Sequence, residues 1–283
     1  MPQVVVPQDR GRAMAGGVKR DHQGKEKGSD NRSARDMPRN AYTSMFESFR
    51  NELDEHHDRR MKIGKVSRDV TALSKKSIFL LQRIRKLNQP LVPKIQADVE
   101  DRLKEIAGLL ATIQSDVAGM NRYRYPLICL EEFVEAISFS HYLQHQTLIT
   151  PSQVEQALPL NIALTPSDYV FGIFDLTGEM MRFAIAVTAL SGSMPGLGTK
   201  GAAERTILSD MQDVSSMLQI CPPVGGKPGT YSKKSSIMIE QVLKVERLGY
   251  SITVRGNERP KGWMPDMNEP RGGDNDHEDI SMD

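Results

Sequence analysis

The stretch PSDYVFGIFDLTGEMMRFAIAVTAL, residues 166–190, carries only three charged residues between Tyr169 and Leu190: Asp175, Glu179 and Arg182. Their i, i+4, i+7 spacing places all three on one face of a helix. The rest of the stretch is almost wholly apolar and predicts burial. A buried carboxylate must be paired, hydrogen-bonded or bound to a metal, or else give up its charge. The block LEEFVEAISF, residues 130–139, offers a second pair, Glu132 and Glu135. At i, i+3 they stand about 60° apart on one helix face, while Glu131 points about 100° away from Glu132. Glu135 is flanked by Val134, Ala136 and Ile137 and is expected near the core. Two helices that each bear a same-face acidic pair can build a four-carboxylate site, with Glu132, Glu135 and Asp175 converging on one cation and Glu179 beside it. Oxygen-only ligands select Mg²⁺ or Mn²⁺ over zinc. Such ions bind phosphates and activate water for phosphodiester hydrolysis. The same acids also admit a structural reading, in which they pair with Arg182, lysine or tyrosine groups inside a helical bundle.

Other residue patterns point to less. His141 and His145 are i, i+4, but no Glu follows the first His as HExxH requires. The Glu-x-x-His repeat of di-iron bundles is absent. His56-His57 lies among charges and reads as surface. The loop Val224 to Gly229, VGGKPG, does not match the phosphate-binding pattern GxxxxGK[ST] and reads as a flexible connection. Cys129 and Cys221 are far apart, which excludes a disulfide scaffold or thiolate zinc site and fits a reducing compartment.

The elements that would position the acids all read as helices. Residues 43–87 form a first long helix, with Thr43 or Ser44 as N-cap. Its apolar stripe runs through Ile63, Val66, Val70, Leu73, Leu80, Leu81 and Ile84. Roughly opposite lies a basic stripe with Lys65, Arg68, Lys75, Lys76, Arg83 and Lys86. From Arg59 to Lys86 there are ten basic residues and one acid, Asp69. Solvated faces usually mix signs, so a one-sign stripe suits a phosphate-binding surface. Asn88-Gln89-Pro90 breaks this helix. A second helix spans 93–118, and a third spans 122–147, regular after Pro126. A short fourth opens at Thr150-Pro151, and a fifth opens at Thr165-Pro166 with a capping-box variant. A sixth covers 202–220 and a seventh 231–254. No alternating run demands a strand. These seven helices with short connections predict an all-α bundle. A first helix of about 45 residues would span about 67 Å. That is longer than a compact monomer can cover, so a partner subunit is expected on it.

The composition fits this frame. Of the 283 residues, 39% are hydrophobic and 26% charged, with a net charge of +1. Residues 1–40 hold nine Lys/Arg and five Asp/Glu, while residues 265–283 hold one Arg and seven acids. The organisation read from this is a disordered basic tail over 1–41, a helical domain over 42–260 and a disordered acidic tail over 261–283. Lys19-Arg20 with Lys25 and Lys27 reads as either a loose nuclear-import signal or a solvated tail. No apolar leader follows the start, so no secretory signal is expected. The 169–190 stretch is long enough to cross a bilayer, but its one-sided charges favour a buried bundle helix.

At the level of motifs the chain resembles the translin superfamily, in its translin-associated factor X (TRAX) branch. The resemblance spans about residues 42–260. It is carried by FESFRNELDEHHDRR (46–60), KVSRDVTALSKKSIFLLQRI (65–84), LEEFVEAISFSHY (130–142), LTPSDYVFGIFDLTGEMMR (164–182) and KVERLGYSITVRGNERPK (244–261). It implies a seven-helix fold and assembly with translin into a closed helical shell. It also implies that the TRAX-type subunit supplies a Mg²⁺-dependent endoribonuclease acting on single-stranded RNA. The family's E-x-x-E block falls on Glu132 and Glu135, and its D-L-T-G-E block on Asp175 and Glu179, which it assigns as catalytic and metal-binding. Implied substrates are passenger-strand fragments of small-RNA duplexes and tRNA precursor fragments, with single-stranded DNA as a further ligand. The implied location is cytoplasm and nucleus. The contrasting expectation is a non-enzymatic translin partner that binds single-stranded nucleic acid through Lys65, Arg68, Lys75 and Lys76. Relative to animal members, the link from Leu158 to Thr165 is short, and the N-terminal basic cluster is sparse.

Overall fold

The computed structural model describes residues 40–159, 162–197, 205–225 and 228–255. The expected basic and acidic tails, including Lys19, Arg20, Lys25 and Lys27, lie almost wholly outside them. The chain divides into two compact units, residues 1–54 and 55–283. In the first, Tyr42 is exposed just before a long helix, whose opening turns expose Met45, Phe46, Phe49 and Leu53. Phe46 and Phe49 meet edge-to-face there, with ring centroids 6.1 Å apart.

The regular elements of the described residues are helices except for one two-residue strand pair. The helices are α1 (Thr43–Leu81), α2 (Pro93–Ala111), α3 (Asn121–Arg124), α4 (Cys129–His145), α5 (Pro151–Gln156), α6 (Pro166–Ser191), α7 (Ile207–Ile220) and α8 (Thr230–Arg255). The apolar stripe expected on α1 is the face it buries: Ile63, Val66, Val70, Leu73 and Leu81 are buried, and Leu80 and Ile84 pack against them. Two start signals act as read. Thr150 and Gln153 form one capping box, and Thr165 and Asp168 another, each followed by proline in the first turn. A side-chain cap of this kind contributes about 1 kcal/mol.

Four boundaries differ from the sequence expectation. First, α1 ends at Leu81 rather than 87, because the backbone tightens into i→i+3 bonds from Arg83 and Ile84 before Asn88 takes a positive φ of 55°. Second, α2 ends at Ala111 rather than 118 through the same tightening at Thr112, Ile113 and Gln114. Third, the expected third helix is two, α3 and α4, because Tyr125, preceding Pro126, is held out of the helical region at φ −121°, ψ 84°. Fourth, where a helix was expected from 202, Arg205–Thr206 (β2) pairs antiparallel with Gly196–Leu197 (β1), and the helix starts only at Ile207. A Cβ on Gly196 would meet the Arg205 carbonyl oxygen at 2.4 Å, so this pairing needs glycine.

The acid-bearing stretch is the hub of the second unit. α6 packs along α4 on one side and α8 on the other, and α7 lies on α8. The α4–α6 crossing is close because Gly172 faces Val134. A Cβ at Gly172 would sit 2.6 Å from Val134 and 2.8 Å from the Glu131 carbonyl oxygen. This crossing sets the spacing between the two acidic pairs. No described helix is long and apolar enough to cross a membrane.

Candidate functional site

Across the α4–α6 contact, Glu132 and Glu135 come into electrostatic range of Asp175 and Glu179. Burial, then Asp175, Glu179 and Glu132, push the Glu135 carboxyl up to about 8, with Arg182 partly opposing the shift. Each of its neighbours is held differently. Asp175 receives the Lys234 ammonium of α8, whose Nζ lies 2.6 and 2.7 Å from the two carboxylate oxygens. The same Nζ stands 3.4 Å from Glu131 Oε2 and 5.6 Å from the Phe171 ring centroid. Glu179 is buried, accepts a bond from Arg182, and accepts another from Gln82 Nε2 at 2.8 Å. Glu132 has Lys75 Nζ at 3.8 Å from one oxygen, while its other oxygen is buried with no hydrogen-bond partner.

The helix faces bring these acids together; the side-chain settings do not close them round one point. Among the described residues no three acidic, histidine or cysteine side chains are gathered as a metal cage. The expected convergence of Glu132, Glu135 and Asp175 on one cation is thus not present in the side chains as they stand. The physical reason is that Asp175 is drawn onto Lys234 and Glu179 onto Arg182. In chemistry the donor set still suits a hard divalent ion. It is all oxygen, it includes an orphaned buried oxygen on Glu132, and its central acid is crowded by negative charge.

Two members of this network were not anticipated. By helical spacing Glu131 points about 100° away from Glu132. It reaches the site because that direction faces α8 and Lys234, and burial raises its carboxyl above the usual range even though Lys234 pulls it down. Lys234 itself is 59 residues from Asp175 in the chain, and no spacing rule connects them. Its only sequence signal is a lysine at the start of an amphipathic helix.

The basic stripe is exposed at Lys65, Arg68, Lys75 and Lys76. Arg68 and Lys75, with Arg60 and Arg124, border a groove of about 820 Å³ floored by Ile63, Ala72, Pro126 and Ile128. Lys75 therefore stands both on this groove and against Glu132.

The remaining candidates stay apart from the acids. The His141 and His145 rings meet at a 47° tilt with centroids 4.6 Å apart, and His141 Nε2 lies 3.1 Å from Thr147 Oγ1. Burial and His145 lower the His141 pKa. His56 is hydrogen-bonded to the Tyr125 hydroxyl and so is not simply surface. Cys129 is buried and Cys221 partly so, and neither is in a disulfide. Part of the Val224 to Gly229 loop lies outside the described residues.

Residues 58–256, most of the helical region, match the Translin family. The chain belongs to that family. It is similar to mouse translin-associated protein X, 29% identical over 251 residues, with 78% of this chain and 82% of the relative covered. The rat protein of the same name matches to the same extent. The fission yeast (Schizosaccharomyces pombe) homolog is 29% identical over 217 residues, covering 74% of this chain and 87% of the relative. The matched span contains α4, α6 and α8 whole, and so every acid and cation of the α4–α6 network. Within this translin-family chain, the two acidic pairs read from spacing and the lysine that reading missed belong to one arrangement.

Proposed function

We propose that this chain is the catalytic subunit of a translin-containing, Mg²⁺-dependent endoribonuclease that cleaves single-stranded RNA. The observation that carries this reading is the surplus of carboxylate where α4 meets α6, with Glu179 buried and Glu132, Glu135 and Asp175 half-buried. Glu132 keeps an orphaned inner oxygen, and Glu135 is pushed to about 8. A fold gains nothing from crowding acids in this way, whereas a hard divalent cation would relieve it. Glu132, Glu135 and Asp175 would hold Mg²⁺ or Mn²⁺, with Glu179 beside them. Once bound, the ion supplies a water of lowered pKa and positive charge against the phosphodiester. Arg182 and Gln82 keep Glu179 oriented. Lys65, Arg68 and Lys76 offer exposed cations for the RNA backbone, and the groove edged by Arg68 and Lys75 leads towards Glu132. Substrates of this class include passenger-strand fragments of small-RNA duplexes and tRNA precursor fragments.

Translin as partner is supported by family membership and by the exposed apolar face of Met45, Phe46, Phe49 and Leu53. A closed assembly would also exclude structured RNA from an inward-facing site. The test is cleavage of a labelled single-stranded RNA by the chain co-purified with translin, with Mg²⁺ or with EDTA. Cleavage is expected only with the divalent ion. Metal-independent cleavage would overturn the metal-dependent mechanism, and none under any ion would remove the enzymatic reading.

A second reading has its own observation. The ion pairs Asp175–Lys234 and Glu179–Arg182 satisfy two of the four acids without a metal. On that basis the chain would be a non-enzymatic translin partner that binds single-stranded RNA or DNA through the basic stripe. In that case the complex binds RNA and leaves it intact.

A further inference from the structure

Among the described residues, Lys234 is the one cation that spans both oxygens of a proposed metal ligand. Its side chain is 19% exposed, and its ammonium lies 2.6 and 2.7 Å from Asp175 and 3.4 Å from Glu131. Five carboxylates, Glu131, Glu132, Glu135, Asp175 and Glu179, share this region with three cations, Lys75, Arg182 and Lys234. Fully ionised, the group retains two unmatched negative charges, the charge one divalent ion would neutralise. Arg182 serves Glu179, and Lys75 stands at 3.8 Å from the outer oxygen of Glu132. Neither blocks Asp175. Lys234 does, because both oxygens of Asp175 already face its ammonium.

We infer that Lys234 sets the divalent-cation affinity of the acidic site, its ammonium competing with the ion for Asp175; this rests on the metal-dependent reading above. Lysine suits the role better than arginine would. Its charge is a compact point on a flexible stem, whereas a guanidinium would clamp the carboxylate in a planar fork. The stem and its surroundings also offer the ammonium somewhere to go. The Phe171 ring face is 5.6 Å from Nζ and attracts a cation, and Glu131 stands beside it. Lys234 can therefore leave Asp175 without losing every partner. The ion pair keeps Asp175 charged and oriented when no ion is bound. It also raises the ion concentration needed to load the site.

The test uses the full-length chain, with translin where the two co-purify, and no RNA. Mn²⁺ binding is read from loss of the free-ion electron paramagnetic resonance signal. Lys234→Met keeps the stem and removes the charge, and it is expected to tighten Mn²⁺ binding by tenfold or more. In an Asp175→Asn background the same change is expected to have no effect. Wild-type affinity in Lys234→Met overturns the proposal, as does tightening that persists without Asp175. If Asp175→Asn alone leaves Mn²⁺ binding untouched, the metal reading itself fails and takes this proposal with it. A second measurement needs no variant and covers the case where Lys234→Met does not fold. Reductive methylation of lysines, followed residue by residue in the wild-type protein, is expected to rise several-fold at Lys234 on adding saturating Mg²⁺. An unchanged rate at Lys234 overturns the proposal.

Discussion

Glu135 is held against its own charge. Burial and the neighbouring acids raise its carboxyl to about 8 from an ordinary value of 4.5, so the folded chain favours the protonated form. The stabilising contribution of that proton is complete below about 4.5 and is lost as pH rises through about 8. Without divalent ions, the melting temperature should therefore carry a component that falls between pH 5 and 8. Glu135→Gln, neutral at every pH, should flatten that component. Parallel melting-temperature profiles for the two proteins, followed by circular dichroism in EDTA, would contradict the assignment. Cys129 gives a second residue-scale expectation. Burial pushes its thiol up to about 11, with a bond from Ser67 partly opposing. At pH 8 it should resist alkylation in the folded chain and react on denaturation. Rapid native labelling of Cys129, located by peptide mass, would show that its environment is more open than described. The four acids were legible because helical periodicity alone puts Glu132 with Glu135 and Asp175 with Glu179. Lys234 and the role of Glu131 were not. Both depend on which third helix lies beside the pair, and that is a tertiary fact absent from local spacing.

At the scale of elements, the α4–α6 crossing matters most. Gly172 lets the helices approach until a Cβ would stand 2.6 Å from Val134 and 2.8 Å from a carbonyl oxygen of α4. Gly172→Ala should separate the acidic pairs and destabilise the chain by about 1–3 kcal/mol, the usual cost of overpacking. Alanine's better helix propensity offsets only about 1 kcal/mol of this. Chemical denaturation measures the loss, and an unchanged or higher midpoint would mean that the crossing is not close-packed. The start of this helix was readable because Thr165, Pro166 and Asp168 are local signals, and its end at Gly192 follows the usual left-handed cap, φ 73°. The ends of α1 and α2 were overrun for a related reason. Apolar periodicity continues beyond both, through Ile84 and through Ile113 and Val117, which still pack into the core from tightened turns rather than from α-helix. Side-chain pattern reports which residues are buried. It does not report whether the backbone between them is helical.

Among the described residues, two surfaces are left unused by the fold of one chain. The exposed Met45, Phe46, Phe49 and Leu53 predict that the chain expressed alone self-associates or is degraded, and that translin rescues it. A well-behaved monomer at micromolar concentration by light scattering would contradict that. The basic stripe predicts salt-dependent RNA binding. Changing Lys65, Arg68 and Lys76 to Glu, and sparing Lys75 because it touches Glu132, should flatten the log K against log salt slope by about 2, at about 0.7 per phosphate contact. An unchanged slope would leave the stripe as plain surface.

The central claim concerns the charge of the α4–α6 acids. Its most direct measurement is single-turnover cleavage of a single-stranded RNA, in Mg²⁺, by the complex carrying Glu135→Gln or Asp175→Asn. Both substitutions keep shape and hydrogen-bonding capacity; Asp175→Asn removes a standing charge, and Glu135→Gln removes the charge that Glu135 would take up on binding the ion. Assembly and RNA binding are expected to stay near wild type. Glu135→Gln is expected to keep the melting temperature, because relieving a crowded carboxylate costs little, whereas Asp175→Asn is expected to lower it modestly with the loss of the Lys234 ion pair. Cleavage is expected to fall by several orders of magnitude, with excess Mn²⁺ restoring it in part at most. Wild-type cleavage by both variants would contradict the claim. So would joint unfolding, which would show that these acids serve the charge network of the fold, Asp175 through its ion pair with Lys234 and Glu135 beside Arg182, and not a metal.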